Sequence, residues 1–387
     1  MFVLQGRLML VYLDLMKYYI IAGEASGDLH GSNLLKEIRK KDPSALARGF
    51  GGDRLEKEGM TIVKHFRDLA FMGFIEVIAN LRTIIRNLAL CKSDIENFRP
   101  DVLILVDYPG FNLRIAEWAH SKGIKIAYYI SPQVWAWKEN RVKLIRKVVD
   151  KMIVILPFEN DFYKKWNYKV EYVGHPLVQV VDEFRQKHEK DTATDIIAVL
   201  PGSRQQEIKA KLPVMLRQAE KFPGYRFVVA MAPGLNDDFY APLIKAFSNG
   251  NISTSRNTYS LLLNARAALV TSGTATLETA LFGVPQVICY KGSNISYQIA
   301  KRLIKIRFIG LVNLIMDREV VKELIQHELN DANLNKELEK ILHEPAVIEK
   351  IKNDYSELHQ LLSRGGNASE KAAKIVVDMA SSVEGLQ

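Results

Sequence analysis

A turn of small residues, Ser272-Gly273-Thr274, stands between a buried apolar run and a helix-like segment within Ala267–Tyr290. A strand that ends in such a turn and opens a helix directs free backbone N–H groups and the positive end of the helix dipole at whatever lies above it. The spacing therefore predicts a phosphate site. Glu278, one turn later on the same helix face, can accept hydrogen bonds from a ribose diol. An ordinary strand–turn–helix unit, whose Ser and Thr only cap the helix, is the alternative.

A second strand-to-helix turn ends at Arg204, and Ser203 and Gln206 have capping-box spacing. Arg204 falls in the first predicted helical turn, where the dipole favours acids, so a cation there favours a bound anion. Together with the turn at 272–274, it predicts a diphosphate held without a metal. A solvent-facing arginine after a cap is the alternative. Neither turn ends in Gly-Lys-Ser/Thr, which argues against a kinase or ATPase P-loop.

The first half of the chain offers one carboxylate for acid–base chemistry. Asp107 follows the apolar run Val102–Val106, and α/β enzymes often place a catalytic group where such a strand ends. A carboxylate at the rim of a cleft can act as general base for a hydroxyl nucleophile. Asp107 can equally cap the next helix or a turn, because Pro109 and Gly110 follow closely.

Other residues of the first half carry weaker signals. Three glycines in the segment 23–31 allow close backbone approach, but their spacing is not the dinucleotide fingerprint GxGxxG. Trp135 and Trp137 can pack on a sugar or an acyl chain, or serve as ordinary core anchors. His175 is interpreted as a hinge residue. The eight histidines show no clustered spacing, so we expect neither a metal site nor a cofactor.

Alternating strand-length and helix-length segments must position these groups. Five apolar runs between Tyr18 and Gly174 alternate with helical patterns, a polar segment follows, and a second alternating series starts at Asp195. This pattern predicts an α/β fold with two Rossmann-like domains whose parallel sheets face a cleft. We expect domains at 1–177 and 195–345, a polar linker at 178–194, and closing helices at 346–387 that pack on the first domain or on a partner chain.

Composition narrows the class of protein. The chain has 387 residues, 48% apolar and 25% charged, which indicates folded domains rather than disorder. Its net charge of +9 favours an anionic partner: a phosphorylated substrate, a membrane surface or nucleic acid. Cys91 and Cys289 lack metal or redox spacing, which favours a reducing cytoplasm. No apolar run is long enough to span a bilayer. Residues 1–15 are interpreted as an extension, with Met16 as an alternative start.

The segment Phe71–Leu90 has polar residues at positions 76, 80, 83 and 87, on one face, and apolar residues over nearly all the rest, so its apolar face is unusually wide. Flanking basic residues suit an anionic membrane surface, with the apolar side chains dipping into acyl chains. A helix buried between the sheet and a neighbouring element is the alternative.

Taken together, the motifs closely resemble the lipid-A-disaccharide synthases of Gram-negative bacteria, which are inverting glycosyltransferases of the GT-B architecture. The resemblance runs from Tyr18 to the C-terminal helix. The matching motifs occur in family order: GEASGD at 23–28, VD.P.FN at 106–112, SPQVWAW at 131–137, LPFE at 156–159, GHP at 174–176, LPGSR at 200–204, SGTATLE at 272–278 and AKRLIK…NL at 300–314.

The resemblance implies that UDP-2,3-diacylglucosamine donates its sugar to 2,3-diacylglucosamine 1-phosphate (lipid X), forming a β-1,6-linked disaccharide 1-phosphate and UDP. It implies that Asp107 is the base, that Arg204 and the 272–274 turn hold the diphosphate, and that Glu278 binds the ribose. It also implies contacts with the nucleotide sugar or acceptor at the following positions: Asn313, Glu24, Ser26, Gly27, Trp135 and Trp137.

The resemblance further implies a metal-independent enzyme at the cytoplasmic face of the inner membrane, dimerising through C-terminal segments. The acyl-contact residues it implies are Phe71, Met72, Phe74, Ile75 and Ile78. Val312 departs from the family, which usually has proline before the Asn-Leu pair. Two rivals remain. One is another UDP-GlcNAc enzyme, of the peptidoglycan transferase or 2-epimerase type, which lacks GEASGD and SPQVWAW. The other is a non-catalytic lipid- or nucleotide-sugar-binding protein, and no nucleic-acid partner is expected.

Overall fold

A computed structural model describes residues 15–69, 81–190, 195–247, 251–292 and 307–382. Its strands form two sheets in which every recorded pair is parallel, as the alternating pattern predicted. The first sheet contains β1 Lys17–Ala22, β2 Leu46–Gly51, β3 Thr61–His65, β4 Val102–Val106, β5 Lys125–Tyr129, β6 Lys151–Val154 and β7 Glu171–Tyr172. The second contains β8 Ile196–Leu200, β9 Arg226–Ala230, β10 Ile252–Ser255, β11 Ala265–Val270, β12 Gln286–Tyr290 and β13 Glu323–Ile325.

Helices cover both sheets. Those associated with the first sheet are α1 Ala25–Lys41, α2 Asp53–Lys57, α3 Leu81–Phe98, α4 Pro109–Ser121, α5 Val134–Trp137, α6 Arg141–Val148, α7 Glu159–Lys164 and α8 Pro176–Lys187. The others are α9 Gln205–Leu216, α10 Asp237–Lys245, α11 Thr258–Leu263, α12 Thr274–Leu281, α13 Leu311–Met316, α14 Asp331–His343, α15 Pro345–Ser363 and α16 Ala368–Ser381. Because both faces of each sheet are covered, central strands are apolar throughout; all five residues of β4 are fully buried.

The strand order places one crevice in each sheet. The first sheet runs β3-β2-β1-β4-β5-β6-β7 and the second β10-β9-β8-β11-β12-β13. In each, the chain reverses its winding direction between two neighbouring strands, β1 and β4 or β8 and β11. Ligands of open α/β sheets bind outside the carboxyl ends of the strands at such a point. The motifs at Glu24, Asp107, Arg204 and Ser272 follow these four strands directly.

Four strands lack an apolar run that would have predicted them. β2 contains Gly49 and Gly51, and a Cβ on Gly49 would lie 2.0 Å from the carbonyl oxygen of Ile20, so bulky residues are excluded there. β3, β10 and β13 are edge strands of five, four and three residues. Edge strands are short and only half buried, and their sequences therefore look like loops.

Closing helices return the chain to the first sheet. α15 contacts α12 and α13 of the second half, whereas α16 packs along α1 and contacts β4 and β5. The Nζ atom of Lys125 donates a hydrogen bond to the carbonyl oxygen of Met379, 3.0 Å away. The segment predicted as a polar linker is helical through Lys187, as part of α8.

Some predicted features lie outside the described residues. These are the extension at 1–14, part of the linker at 191–194, the AKRLIK motif through residue 306, the side chain of Trp137, and the acyl-contact residues Phe71, Met72, Phe74, Ile75 and Ile78. In the part of the chain that the structure describes, no helix combines the length and apolarity that crossing a bilayer requires.

Candidate active site

Asp107 occupies a strained position directly after β4. Asp107 and Tyr108 have φ angles of 45° and 51°, which non-glycine residues rarely adopt. The backbone of Asp107 is held on both sides: its N–H donates to the carbonyl oxygen of Tyr129 at 3.1 Å, and its carbonyl oxygen accepts from Tyr128 Oη at 2.6 Å and Asn112 Nδ2 at 2.7 Å. Strain of this kind costs about 1–3 kcal/mol per residue and clusters at functional sites.

The carboxyl of Asp107 is tuned toward proton transfer. Burial and, to a smaller extent, the negative charge of Glu24 raise its pKa to about 7, while the backbone N–H of Tyr108 opposes the rise. A general base works best when its pKa lies near the operating pH. The raised pKa thus gives an electrostatic reason to expect that Asp107 acts as a base at the rim of the cleft.

One pocket brings residues of both sheets together. Ser26, Gly27 and Asp107 line it from the first sheet, and Thr274 lines it from the second. These four predicted residues come from three segments that are distant in sequence. Their meeting in one pocket follows from the two switch points facing each other.

The same pocket contains polar residues that the sequence analysis did not assign to the site. They are His30, Ser131, Gln133, Glu159 and His175. His175 and Glu159 belong to GHP and LPFE, two of the motifs that carry the family resemblance. These motifs were the sequence signal that could have assigned the two residues to the site. His175 had been interpreted as a hinge residue; its Nδ1 atom accepts a hydrogen bond from the backbone N–H of Leu177 at 3.2 Å, at the start of α8.

Glu159 holds two loops beside Asp107. It is 1% exposed, and its Oε2 atom accepts from the backbone N–H groups of Ile155 at 3.2 Å and Leu156 at 2.9 Å. Its Oε1 atom accepts from the indole N–H of Trp135 at 3.3 Å. Burial raises the pKa of Glu159 to about 7 against these hydrogen bonds. Glu159 therefore orders the pocket wall formed after β5 and β6.

Trp135 is anchored within the protein. Its ring packs edge-on against Phe158 at a centroid distance of 5.0 Å, and its N–H is bonded to Glu159. Of the two roles considered for this residue, these contacts favour the packing anchor. Trp137 ends α5.

The turn at 272–274 has the geometry of an anion site. Gly273 is the N-cap of α12 with φ 125°, and without a side chain it cannot cap the first N–H groups of the helix. The hydroxyl of Ser272 donates to the carbonyl oxygen of Ile309 at 2.9 Å, which fixes the turn against the loop before α13. The helix N-terminus at Thr274 is therefore directed into the pocket.

Arg204 differs slightly from its prediction. It is the N-cap residue of α9 rather than a member of the first turn, and no side chain caps this helix, so the predicted capping box at Ser203 and Gln206 is wrong. Its Nη1 atom lies 3.2 Å from Glu207 Oε1. Its charge also reaches across the cleft, where it lowers the pKa of Glu24 against the dominant effect of burial, which raises it.

A buried ammonium group lies beneath both turns of the second sheet. Lys211 is 2% exposed, and its Nζ donates to Thr271 Oγ1 and lies 3.8 Å from Glu207 Oε2. The N–H of Thr271 donates to the carbonyl oxygen of Leu200 at 2.8 Å. Burial lowers the pKa of Lys211, and the charge of Glu207 opposes that shift. Lys211 thus joins the Arg204 turn to the 272–274 turn; no sequence signal had indicated this.

Glu278 lies one turn into α12, as predicted. Its Oε1 atom accepts a hydrogen bond from Tyr259 Oη at 3.0 Å. Burial raises the pKa of Glu278, whereas the Tyr259 bond and the charge of Arg54 lower it. Arg54 belongs to α2 in the first half, and α2 is anchored by Asp28, whose carboxylate accepts from three backbone N–H groups of residues 52–55.

Asn313, expected near the nucleotide sugar, has a structural role within the second half of the chain. Its side chain is 0% exposed. Its Nδ2 atom donates to the carbonyl oxygen of Val321 at 2.8 Å and to Glu323 Oε1 at 3.0 Å, and its Oδ1 atom accepts from the N–H groups of Val320 and Val321. All donors and acceptors of the amide are used within the protein. Asn313 therefore stabilises the loop before β13, and its expected contact with the nucleotide sugar stays a prediction.

Three comparisons with known proteins agree with this geometry. A family model described as lipid-A-disaccharide synthetase matches residues 18–377. The chain is 39% identical to a lipid-A-disaccharide synthase of Geobacter sulfurreducens, covering 93% of this chain and 96% of the relative. It is also 39% identical to one of Syntrophus aciditrophicus, covering 93% and 97%.

The solved structure of the glycotransferase of kitacinnamycin superimposes with a TM-score of 0.65 at 12% identity, covering 94% of this chain and 99% of that one. At that identity the likeness concerns the fold alone, and it assigns the two facing sheets to the GT-B architecture. The sequence matches carry the function. The chain therefore belongs to the lipid-A-disaccharide synthetase family, glycosyltransferases that condense UDP-diacylglucosamine with lipid X.

Proposed function

We propose that Asp107 is the general base of this condensation. Its carboxylate takes the proton of the acceptor 6-hydroxyl, whose oxygen attacks C1 of the donor sugar and forms the β-1,6 bond. The bond between C1 and the diphosphate oxygen breaks, and UDP leaves with that electron pair. The observation that carries the proposal is the Asp107 carboxyl, with its pKa raised to about 7, in a pocket that Thr274 lines from the opposite sheet.

The leaving UDP is held by the second sheet. The N-terminus of α12 at Gly273 and Thr274 offers backbone N–H groups, with Ser272 fixing the turn. Arg204 supplies a guanidinium at the neighbouring switch-point turn. Charge-assisted bonds of this kind stabilise a diphosphate without a metal ion.

Glu278 receives the ribose of the nucleotide. The bond from Tyr259 orients the carboxylate and occupies one of its oxygens. Each carboxylate oxygen accepts more than one hydrogen bond, so a diol can still bind. Arg54, directed toward this group from the first half, lies where it can close over the bound nucleotide.

The acceptor sugar lies against the first sheet. Glu24, Ser26 and Gly27 surround the start of α1, and the last two line the pocket with Asp107. Trp135 contributes indirectly, because it is bound to Glu159 at the pocket wall. In this arrangement 1–177 acts as the acceptor domain and 195–345 as the nucleotide domain, while α15 contacts the second half and α16 packs back on the first.

The substrates are lipids, and α3 offers a surface toward a membrane. Ile85 and Leu90 are 57% and 42% exposed, while Asn87 is 4% exposed. Asn87 thus faces inward with Cys91 and Ile95, whereas Ile85 and Leu90 face outward together with Arg82 and Arg86. Exposed apolar residues flanked by arginines suit an anionic lipid surface. We place the enzyme at the cytoplasmic face of the inner membrane, as a homodimer joined by C-terminal segments.

Incubation with UDP-2,3-diacylglucosamine and 2,3-diacylglucosamine 1-phosphate tests the proposal. We expect UDP and a disaccharide 1-phosphate in equal amounts, and mass spectrometry with linkage analysis identifies both products. Turnover of UDP-GlcNAc alone would instead support a 2-epimerase-like enzyme, and binding without turnover a carrier. Flotation with anionic vesicles, and its loss in Ile85→Ser/Leu90→Ser, tests the membrane surface; sedimentation tests the dimer.

A further inference from the structure

His30 lines the pocket and contains one nitrogen without a hydrogen-bond partner in the described part of the chain. The residue is 5% exposed and lines the pocket that contains Asp107. Its Nδ1 atom is buried and has no hydrogen-bond partner among the described residues. A buried polar atom without a partner destabilises the folded state, and such groups are rare in folded proteins. A ligand that supplies the missing partner explains why this one is retained.

His30 lies on the same face of α1 as two predicted substrate contacts. Ser26 and Gly27 precede it by four and three residues, so all three share one helix face, and all three line the pocket. α1 is 17 residues long, and its N-cap residue Glu24 makes no side-chain capping bond. The first turn of α1 and the imidazole therefore form one polar edge of the pocket.

The charges around His30 indicate which kind of ligand group can bind beside it. Burial lowers the pKa of His30 to about 4, and burial together with His30 lowers the pKa of His175 to about 3, so both rings are neutral near pH 7. Asp107 and Glu159 also line the pocket. A phosphate here would meet a neutral imidazole and two carboxyls, one of which must ionise to act as a base. A neutral sugar hydroxyl avoids that repulsion.

We propose that Nδ1 of His30 binds the 4-hydroxyl of the acceptor sugar, an inference that rests on the proposed function. In 2,3-diacylglucosamine 1-phosphate, positions 1, 2 and 3 are substituted and the 6-hydroxyl reacts. The 4-hydroxyl is therefore the one other free hydroxyl on the ring. C4 and C6 are both bonded to C5, so a 6-hydroxyl placed at Asp107 brings the 4-hydroxyl to the neighbouring polar edge.

Substitution of His30 by Asn or by Gln distinguishes the contributions of the two ring nitrogens. The amide of Asn lies near the place of Nδ1, and that of Gln near the place of Nε2. We expect His30→Gln to raise the KM for the acceptor about tenfold, as for loss of one buried hydrogen bond, and His30→Asn to raise it less. The KM for the UDP-sugar should stay unchanged in both. Equal effects of Asn and Gln, or parallel changes in both KM values, would overturn the assignment.

A 4-deoxy acceptor provides the second test. The unmodified enzyme should lose about tenfold in kcat/KM with it, whereas His30→Leu should treat the deoxy and natural acceptors alike. Additive losses would contradict the contact. If the unmodified chain does not condense the natural substrates at all, the proposed function fails instead.

A third readout needs no substitution. The Nδ1 resonance of His30 in the ¹⁵N-labelled native chain should shift when the acceptor is added and not when UDP is added. An unchanged resonance at a saturating acceptor concentration would also refute the contact.

Discussion

The two walls of the cleft differ in charge and in backbone. The wall after β1 and β4 carries Glu24 and Asp107, with Glu159 nearby, and its carboxyls have raised pKa values. The wall after β8 and β11 carries Arg204, Lys211 and the N-terminus of α12. A carboxyl group that accepts a proton near pH 7 must be desolvated, whereas diphosphate binding requires positive charge. Placing them on separate sheets keeps each group from neutralising the other.

The two walls of the cleft also differ in backbone conformation. On the acidic wall, Asp107 and Tyr108 adopt positive φ angles despite their side chains. On the cationic wall, Gly202 and Gly273 take φ angles of 123° and 125°, which glycine adopts at little cost. A phosphate needs close approach to backbone N–H groups, so glycine suffices there. A base needs its side chain, so the first wall retains strain that the second avoids.

Asp107→Asn should have the largest effect. Loss of a general base costs about 10²–10⁴-fold in turnover, while the affinity for UDP, held by the other wall, should remain. The melting temperature above pH 7 should rise. The folded-state pKa of Asp107 is raised, so its burial disfavours the native state increasingly as pH rises toward 7, and the neutral amide removes that penalty. Wild-type turnover in this variant would exclude Asp107 as the base.

Arg204→Ala should weaken UDP binding about 10- to 100-fold, because a hydrogen bond to a charged group contributes about 1.5–3 kcal/mol. Calorimetry with UDP measures this directly. Arg226→Ala is the matched control, since Arg226 pairs with Asp195 at the start of β9, away from the switch point. Equal UDP affinity in the two variants would contradict the diphosphate contact.

Lys211→Met should weaken UDP binding by about tenfold, because Thr271 loses its bond and Glu207 its buried partner. The KM for the acceptor should not change. Lys209→Met, an exposed lysine on the same helix, is the control. A lower melting temperature with normal UDP affinity would show that Lys211 only stabilises the fold.

Glu24→Gln should change the pH profile more than the rate. The negative charge of Glu24 contributes to raising the pKa of Asp107, so its removal should lower that pKa. The rising limb of kcat/KM, which follows ionisation of the base, should then move to lower pH. An unmoved limb would mean that another group titrates there.

Local sequence was informative wherever a strand ended in a turn. Asp107, Arg204 and the residues 272–278 were identified because each directly follows a run of apolar residues whose direction the pattern reveals. Glu159 was not assigned to the site although it belongs to the LPFE motif, and no spacing indicated that His30 reaches the pocket. Asn313 was assigned a ligand contact from family position, and the structure adds that its side-chain amide is bonded within the protein.

The sequence by itself determined the two parallel sheets and the strand ends that carry the candidate groups, because apolar periodicity and turn residues are local properties. The sugar-nucleotide class followed from the resemblance of its motifs to a known family. Only the tertiary structure decided which polar groups are desolvated and which are saturated. Contacts between segments distant in the chain determine the pKa of Asp107, the burial of the His30 nitrogen without a partner among the described residues, and the burial of the Lys211 ammonium group. Burial and hydrogen-bond partners are set by packing, and a linear pattern does not contain them.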